Sequence, residues 1–130
     1  MKNFFLSSLN VPVFAFLYCL ASTSLAHHSF AAQYDADQPI ELSGFVTKVE
    51  WTNPHARFYV DVEDENGNVI NWNLELASPN MMVRNGWTRH FVVEGDEVTV
   101  MGTLARDGSK MANALRVFLS DGTMVMGNRE

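Results

Sequence analysis

Histidines supply most of the side-chain chemistry this sequence offers, and they do so in two places. His27 and His28 stand side by side, directly after the small residues Ser22-Thr23-Ser24-Leu25-Ala26. Cleavage after Ala26 would give His27 a free α-amine beside its imidazole, and the two together chelate one metal ion. His28, or a distant histidine such as His55, then completes a flat nitrogen-rich set, the arrangement copper(II) prefers. Both donors must be unprotonated. An α-amine with a pKa of about 8 meets that condition at neutral pH once a metal competes for it. The competing reading of the pair is a solvated chain start.

The second place is Glu50-Trp51-Thr52-Asn53-Pro54-His55-Ala56. Asn-Pro initiates a turn and biases the preceding residue toward extended backbone, so His55 is expected to point in a defined direction. Trp51 offers an apolar or π surface beside it. Further along, Glu75 precedes Ser78-Pro79-Asn80. A ligand pocket of Trp51, Asn53, His55, Glu75 and Asn80 is the expectation. The structural alternative has Trp51 capping a core while Asn53 and His55 hydrogen-bond turn backbone. Six methionines, from Met81 to Met126, include Met124-x-Met126. Thioethers bind copper(I), but methionine more often fills irregular gaps in a core, and core or tail is the reading preferred for these.

Most catalytic signatures are missing. There is no Gly-x-Ser-x-Gly elbow, no phosphate-cradling glycine loop, no His-Glu-x-x-His and no cysteine–histidine site. Acidic pairs such as Asp64-Glu65 and Asp96-Glu97 lie beside glycines and read as solvated turns. The expectation is a non-enzymatic protein, with a hydrolase as the alternative from another class.

The elements that must position these residues are strands. Ile40 to Trp51 is rich in β-branched and aromatic residues, and Gly44 inside it signals a bulge or a sharp bend. Arg57 to Val62 alternates, with Phe58, Val60 and Val62 on one face. Glu65-Asn66-Gly67-Asn68 is a hairpin turn. Val69 to Leu76 alternates again, with Ile70, Trp72, Leu74 and Leu76 facing inward and Asn71, Asn73 and Glu75 facing out. Ser78 as N-cap and Pro79 at the first helical position open a short helix that Gly86 stops. Strands over 97–104 and 112–119 follow, separated by the turn Arg106-Asp107-Gly108-Ser109. Three strands, one helix, then two strands is the order of a small Greek-key OB barrel, in which the helix plugs an open end. The fold expected is therefore all-β, an OB-like barrel of five to six strands. An open sandwich is the alternative.

The N-terminal 26 residues have the layout of a secretory signal. Lys2 precedes an apolar run that Asn10 and Pro12 break before it reaches membrane-spanning length. Ser24 and Ala26 occupy the positions a signal peptidase reads. The organisation expected is a signal at 1–26, a polar lead-in at 27–39, a barrel at 40–120 and a tail at 121–130. Localisation is periplasmic or secreted, without a stable membrane anchor. The only cysteine, Cys19, leaves with the signal, so no disulfide remains despite an oxidising destination. Losing Lys2 leaves eight basic against fifteen acidic side chains. That balance argues against gripping a phosphate backbone, and the partner expected is a small molecule or a protein, not nucleic acid. No cofactor is required, and copper is the one metal the histidines suggest.

These residues together resemble a family of small exported bacterial proteins, the domain of unknown function 6152. The resemblance lies in Ala26-His27-His28-Ser29-Phe30, in Gly44 through His55, in Trp72 through Asn80, in Gly86-Trp87, in Gly95 through Val100 and in Arg106-Asp107-Gly108-Ser109. It covers essentially the whole mature chain and implies no activity, ligand or catalytic residue. Periplasmic OB-fold copper carriers are similar in size and location, but their histidine, tryptophan and methionine spacing is not matched here.

Overall fold

The computed structural model describes residues 30–127. The secretory signal read at 1–26, the pair His27 and His28, and residues 128–130 lie outside the described residues. A helical turn at 30–33 leads into β1 (Tyr34–Glu50), followed by β2 (Arg57–Glu63), β3 (Val69–Glu75), α1 (Pro79–Arg84), β4 (Glu97–Ala105), β5 (Met111–Leu119) and β6 (Met124–Met126).

The β2–β3 hairpin follows from the alternation. Phe58 pairs with Leu74 and Val60 with Trp72, all buried, while Arg57 opposite Glu75 and Tyr59 opposite Asn73 take the other face. The loop between them is closed by Asp64, whose Oδ1 accepts from the backbone N–H of Asn66 at 2.8 Å and of Asn68 at 2.9 Å. Gly67 adopts φ 82°, the left-handed region where a side chain is costly.

β1 is long enough to serve two partners. Its second half pairs with β2 and its first half with β4. β4 pairs with β5, and β5 runs parallel to β3, Leu74 beside Ala112, which closes the ring. The order around the ring is β1-β2-β3-β5-β4. That is a Greek-key OB barrel with the helix between the third and fourth strands, as the element order predicts. Ring closure abolishes most exposed strand edges.

Closing so small a barrel forces strand backbones together. A Cβ on Gly44 would lie 2.0 Å from the carbonyl oxygen of Asp61, and one on Gly102 would lie 2.1 Å from that of Asn113. The irregularity in β1 falls between Val46 and Lys48, so Gly44 marks the close approach and the bulge sits just after it. The interior is filled by Phe58, Val60, Leu74, Val98, Val100 and Val117, each at most 1% exposed. Fully burying a side chain of this kind contributes about 1.5–3 kcal/mol.

The helix forms as its caps dictate. Ser78 Oγ accepts from the N–H of Met81 at 3.3 Å, Pro79 is the first helical residue, and Gly86 follows the C-cap Asn85 with φ 84°. Met82 is 3% exposed and joins the core, which is how the helix seals the barrel. Among the described residues no helix is long and apolar enough to cross a membrane.

Two boundaries differ from expectation. Residues 34–39 belong to β1 and not to a polar lead-in, because Tyr34 pairs with Ala105 and Pro39 with Thr103. Met124–Met126 forms an edge strand on β5 and not a tail, with Met126 only 6% exposed. Polar composition hid the first and a length of only three residues the second, since each strand is made by pairing to a neighbour.

Candidate functional site

Glu75 lies on the outward parity of β3, yet it is only 2% exposed. Three groups from three stretches of chain cover it. The Tyr34 hydroxyl at the start of β1 donates to Oε2 at 2.5 Å. The Arg57 guanidinium at the start of β2 donates to the same oxygen at 2.7 Å through Nη2. His55, in the loop between β1 and β2, meets Oε1 through Nδ1 at 2.6 Å. Arg57 also reaches Asn73 Oδ1 at 3.2 Å through Nη1.

The arrangement answers a physical problem. Taking a carboxylate out of water costs several kcal/mol unless charge and hydrogen bonds compensate it. Arg57 supplies the charge, and both carboxylate oxygens accept. Among the described residues no buried side-chain polar atom lacks a partner. A carboxylate can only accept, so His55 Nδ1 carries the proton and the imidazole is held in one orientation. The side chains of His55 and Arg57 remain 28% and 27% exposed. A rigid imidazole–guanidinium pair thus reaches solvent above a buried anion.

The network extends across the face. Glu50 stands opposite Arg57 in the β1–β2 register, and its Oε2 accepts from Tyr59 OH at 3.0 Å. Lys48 ion-pairs with Glu50, and its ammonium lies 5.4 Å from the centre of the Tyr59 ring. The hydrogen bonds from Lys48 and Tyr59 hold the Glu50 carboxyl below the usual range.

Tyr34 has a testable consequence in alkali. Burial, reinforced by its hydrogen bond to Glu75, raises the phenol far above the ordinary tyrosine value of 10.0. A group whose pKa is higher folded than unfolded contributes stability that is complete below the unfolded value and is lost as pH rises above it. Stability is therefore expected to fall as pH climbs past about 10, where the unfolded tyrosine ionises and the folded one does not. Tyr34→Phe, followed by urea denaturation at a series of alkaline pH values, should flatten that decline relative to the parent. An unchanged slope would mean that Tyr34 is not the group responsible.

The structure joins two of the expected site residues and separates the rest. His55 and Glu75 are in contact. Trp51 packs against Phe91, ring centres 6.3 Å apart, and Phe91 in turn meets Phe58 edge-on at 5.6 Å. Asn53, which precedes a cis peptide bond to Pro54, and Asn80, in the first turn of α1, are exposed and take no part in the Glu75 cluster. His55 is oriented by Glu75 and not by turn backbone alone. Two members were missed. Arg57 was readable, since it shares the polar face of the hairpin with Glu75. Tyr34 had no sequence signal, because its role depends on β1 reaching round the barrel. Among the described residues no group of three or more histidine, cysteine, aspartate or glutamate side chains is placed to hold a metal ion.

A closed five-stranded ring carrying an ordered polar cluster at its β1–β2 loop and outer β2–β3 face defines an OB-type barrel protein. Residues 15–114 match a family of unknown function (DUF6152), and the chain belongs to that family. No curated protein matches the sequence. Among solved structures, the chain is similar to the mitochondrial single-stranded DNA binding protein Rim1 from S. cerevisiae in two crystal forms. One form gives a TM-score of 0.49 at 10% identity, covering 64% of this chain and 93% of that one. The other gives 0.44 at 9% identity, covering 72% and 98%. The expectation that nucleic acid is not a partner is withdrawn, because it rested on net charge alone. Net charge averages a whole surface, whereas backbone binding depends on a local patch.

Proposed function

We propose that this chain is an exported, non-enzymatic binding module, whose site is the polar face where His55 and Arg57 stand over Glu75. The carrying observation is that one buried carboxylate has both oxygens occupied by groups from β1, the first interstrand loop and β2. Such mutual bracing keeps two polar side chains preorganised at the surface, and preorganisation lowers the entropic cost of binding. What this face offers a ligand is an imidazole and a guanidinium, each partly open to solvent. Export is supported by the three-part layout of residues 1–26.

Copper(II) binding is the second reading, favoured by one feature of His55. Metal-bound histidines usually donate their other ring N–H to a carboxylate, and His55 is held by Glu75 in that way.

Both readings are tested by a thermal-shift screen of a soluble metabolite library and of copper(II) against the parent and His55→Ala. The variant itself should lose about 1–3 kcal/mol, because Oε1 of the buried Glu75 loses its hydrogen bond to the imidazole. Compounds that raise the melting temperature of the parent should lose that effect in the variant. Shifts of equal size in both proteins would place the binding site elsewhere. Copper(II) that acts equally on both would remove His55 from the metal reading.

A further inference from the structure

A cleft of about 400 Å³ opens at the start of the first interstrand loop, between Val49 and Trp51 on one side and residues 89–94 on the other. Val49, Trp51, Val92 and Val93 supply the apolar half of its lining. Trp51 is half-buried with its indole tilted against Phe91, Val92 is 2% exposed, and Val93 is 49% exposed although it is aliphatic. Its rim is polar and carries Arg89, His90 and Glu94, all exposed. Among the described residues neither the Arg89 guanidinium nor the His90 imidazole takes a hydrogen bond or ion pair, while the backbone N–H of His90 donates to Thr88 Oγ1 at 3.3 Å. In a chain of net charge −6, a guanidinium and an imidazole thus stand together beside the half-buried indole of Trp51. The backbone that presents them is fixed by hydrogen bonds from Phe91 N–H to Thr88 and from Asp96 N–H to Val93.

We infer that this cleft binds a small amphiphilic anion, with a flat apolar body against Trp51 and Val93 and a carboxylate or sulfonate group at Arg89 and His90. Burial of the apolar body supplies affinity. A charge-assisted hydrogen bond to the planar guanidinium fixes orientation. Glu94 sets a limit on the total charge, because a polyanion would meet its carboxylate. The cleft shares no lining residue with the Glu75 cluster, so this inference and the proposed function stand or fall separately.

The probe is 1-anilinonaphthalene-8-sulfonate, an arene sulfonate, titrated into the folded protein and read by fluorescence. Its uncharged analogue N-phenyl-1-naphthylamine is titrated in parallel. Near-UV circular dichroism of each protein excludes dye binding to a loosened core. Saturable one-to-one binding of the sulfonate is expected, about tenfold tighter than that of the neutral analogue. Arg89→Ala should weaken the sulfonate about tenfold and leave the neutral analogue unchanged. Val93→Glu, at an exposed position that does not support the fold, should abolish binding of the sulfonate. The inference is overturned if the natively folded parent shows no saturable binding, if the neutral analogue binds as tightly, or if both variants bind the sulfonate like the parent.

Discussion

Glu75→Ala is expected to lower the stability of the domain by about 3 kcal/mol, with a fall in Tm of roughly 12 °C or more. The truncation leaves three donors facing a hole: Tyr34 OH, Arg57 Nη2 and His55 Nδ1. They are not equally harmed. Arg57 and His55 are more than a quarter exposed and regain water, while Tyr34 is 4% exposed and does not. That difference keeps the estimate toward the low end of the ~3–5 kcal/mol seen when one partner of a fully buried ion pair is removed. Glu75→Gln should cost less, about 1–2 kcal/mol, because the amide keeps one acceptor and His55 can switch tautomer toward the new N–H. Arg57→Leu combined with Glu75→Leu should recover much of the loss, since deleting both charges removes the desolvation penalty along with the attraction. Urea denaturation with an unchanged m-value is the measurement. A loss below about 1 kcal/mol for the alanine variant would show that water already reaches the cluster in solution.

Gly102→Ala and Gly44→Ala are expected to be at least as damaging, about 3 kcal/mol or more each. The added methyl of the first would sit 2.1 Å from the Asn113 carbonyl oxygen and 3.0 Å from its carbon. The second would sit 2.0 Å from the Asp61 oxygen and 2.9 Å from its carbon. The nearest obstacles are backbone atoms, so no rotamer change relieves the clash and the strands themselves must part. β4 and β5 would separate where their register already shifts, between Met101 and Gly102. Gly95→Ala is the comparison. It strains a left-handed backbone at φ +93° but meets no atom within 4 Å, and should cost only about 1–2 kcal/mol. Native stabilities run to about 5–15 kcal/mol, so either strand variant removes a large share, and combining the two should leave little folded protein. If Gly102→Ala proves no worse than Gly95→Ala, the barrel is looser than the close approach implies.

Much of the barrel was legible because it rests on short-range rules. The alternation of Phe58, Val60 and Val62 against Ile70, Trp72 and Leu74 requires that inward residues pair with inward ones. The tight hairpin turn expected at Glu65-Asn66-Gly67-Asn68 would set those faces out of phase, and the structure instead has a five-residue loop over 64–68. The helix was equally plain, since a capping serine, a proline at the first position and a stopping glycine act within one turn. The site was only half legible. His55 and Glu75 were named together on loop position and strand face, but the burial of Glu75 was not foreseen. Outward parity predicts exposure, and nothing local reveals that Tyr34, 41 residues away in the chain, lies over it.

The sequence alone determined five of the six strands, their faces, the cap and stop of the helix, the acidic balance, and the residue types from which a site might be made. Those depend on neighbours a few positions apart, where backbone geometry and periodicity leave little choice. Only the tertiary structure decided that β1 begins at Tyr34 and serves two partners, that Gly44 and Gly102 are obligatory, and that Trp51 and His55 serve different surroundings. Each of those outcomes is set by ring closure, which brings distant backbone within contact and turns a polar strand position into the buried centre of a four-residue network.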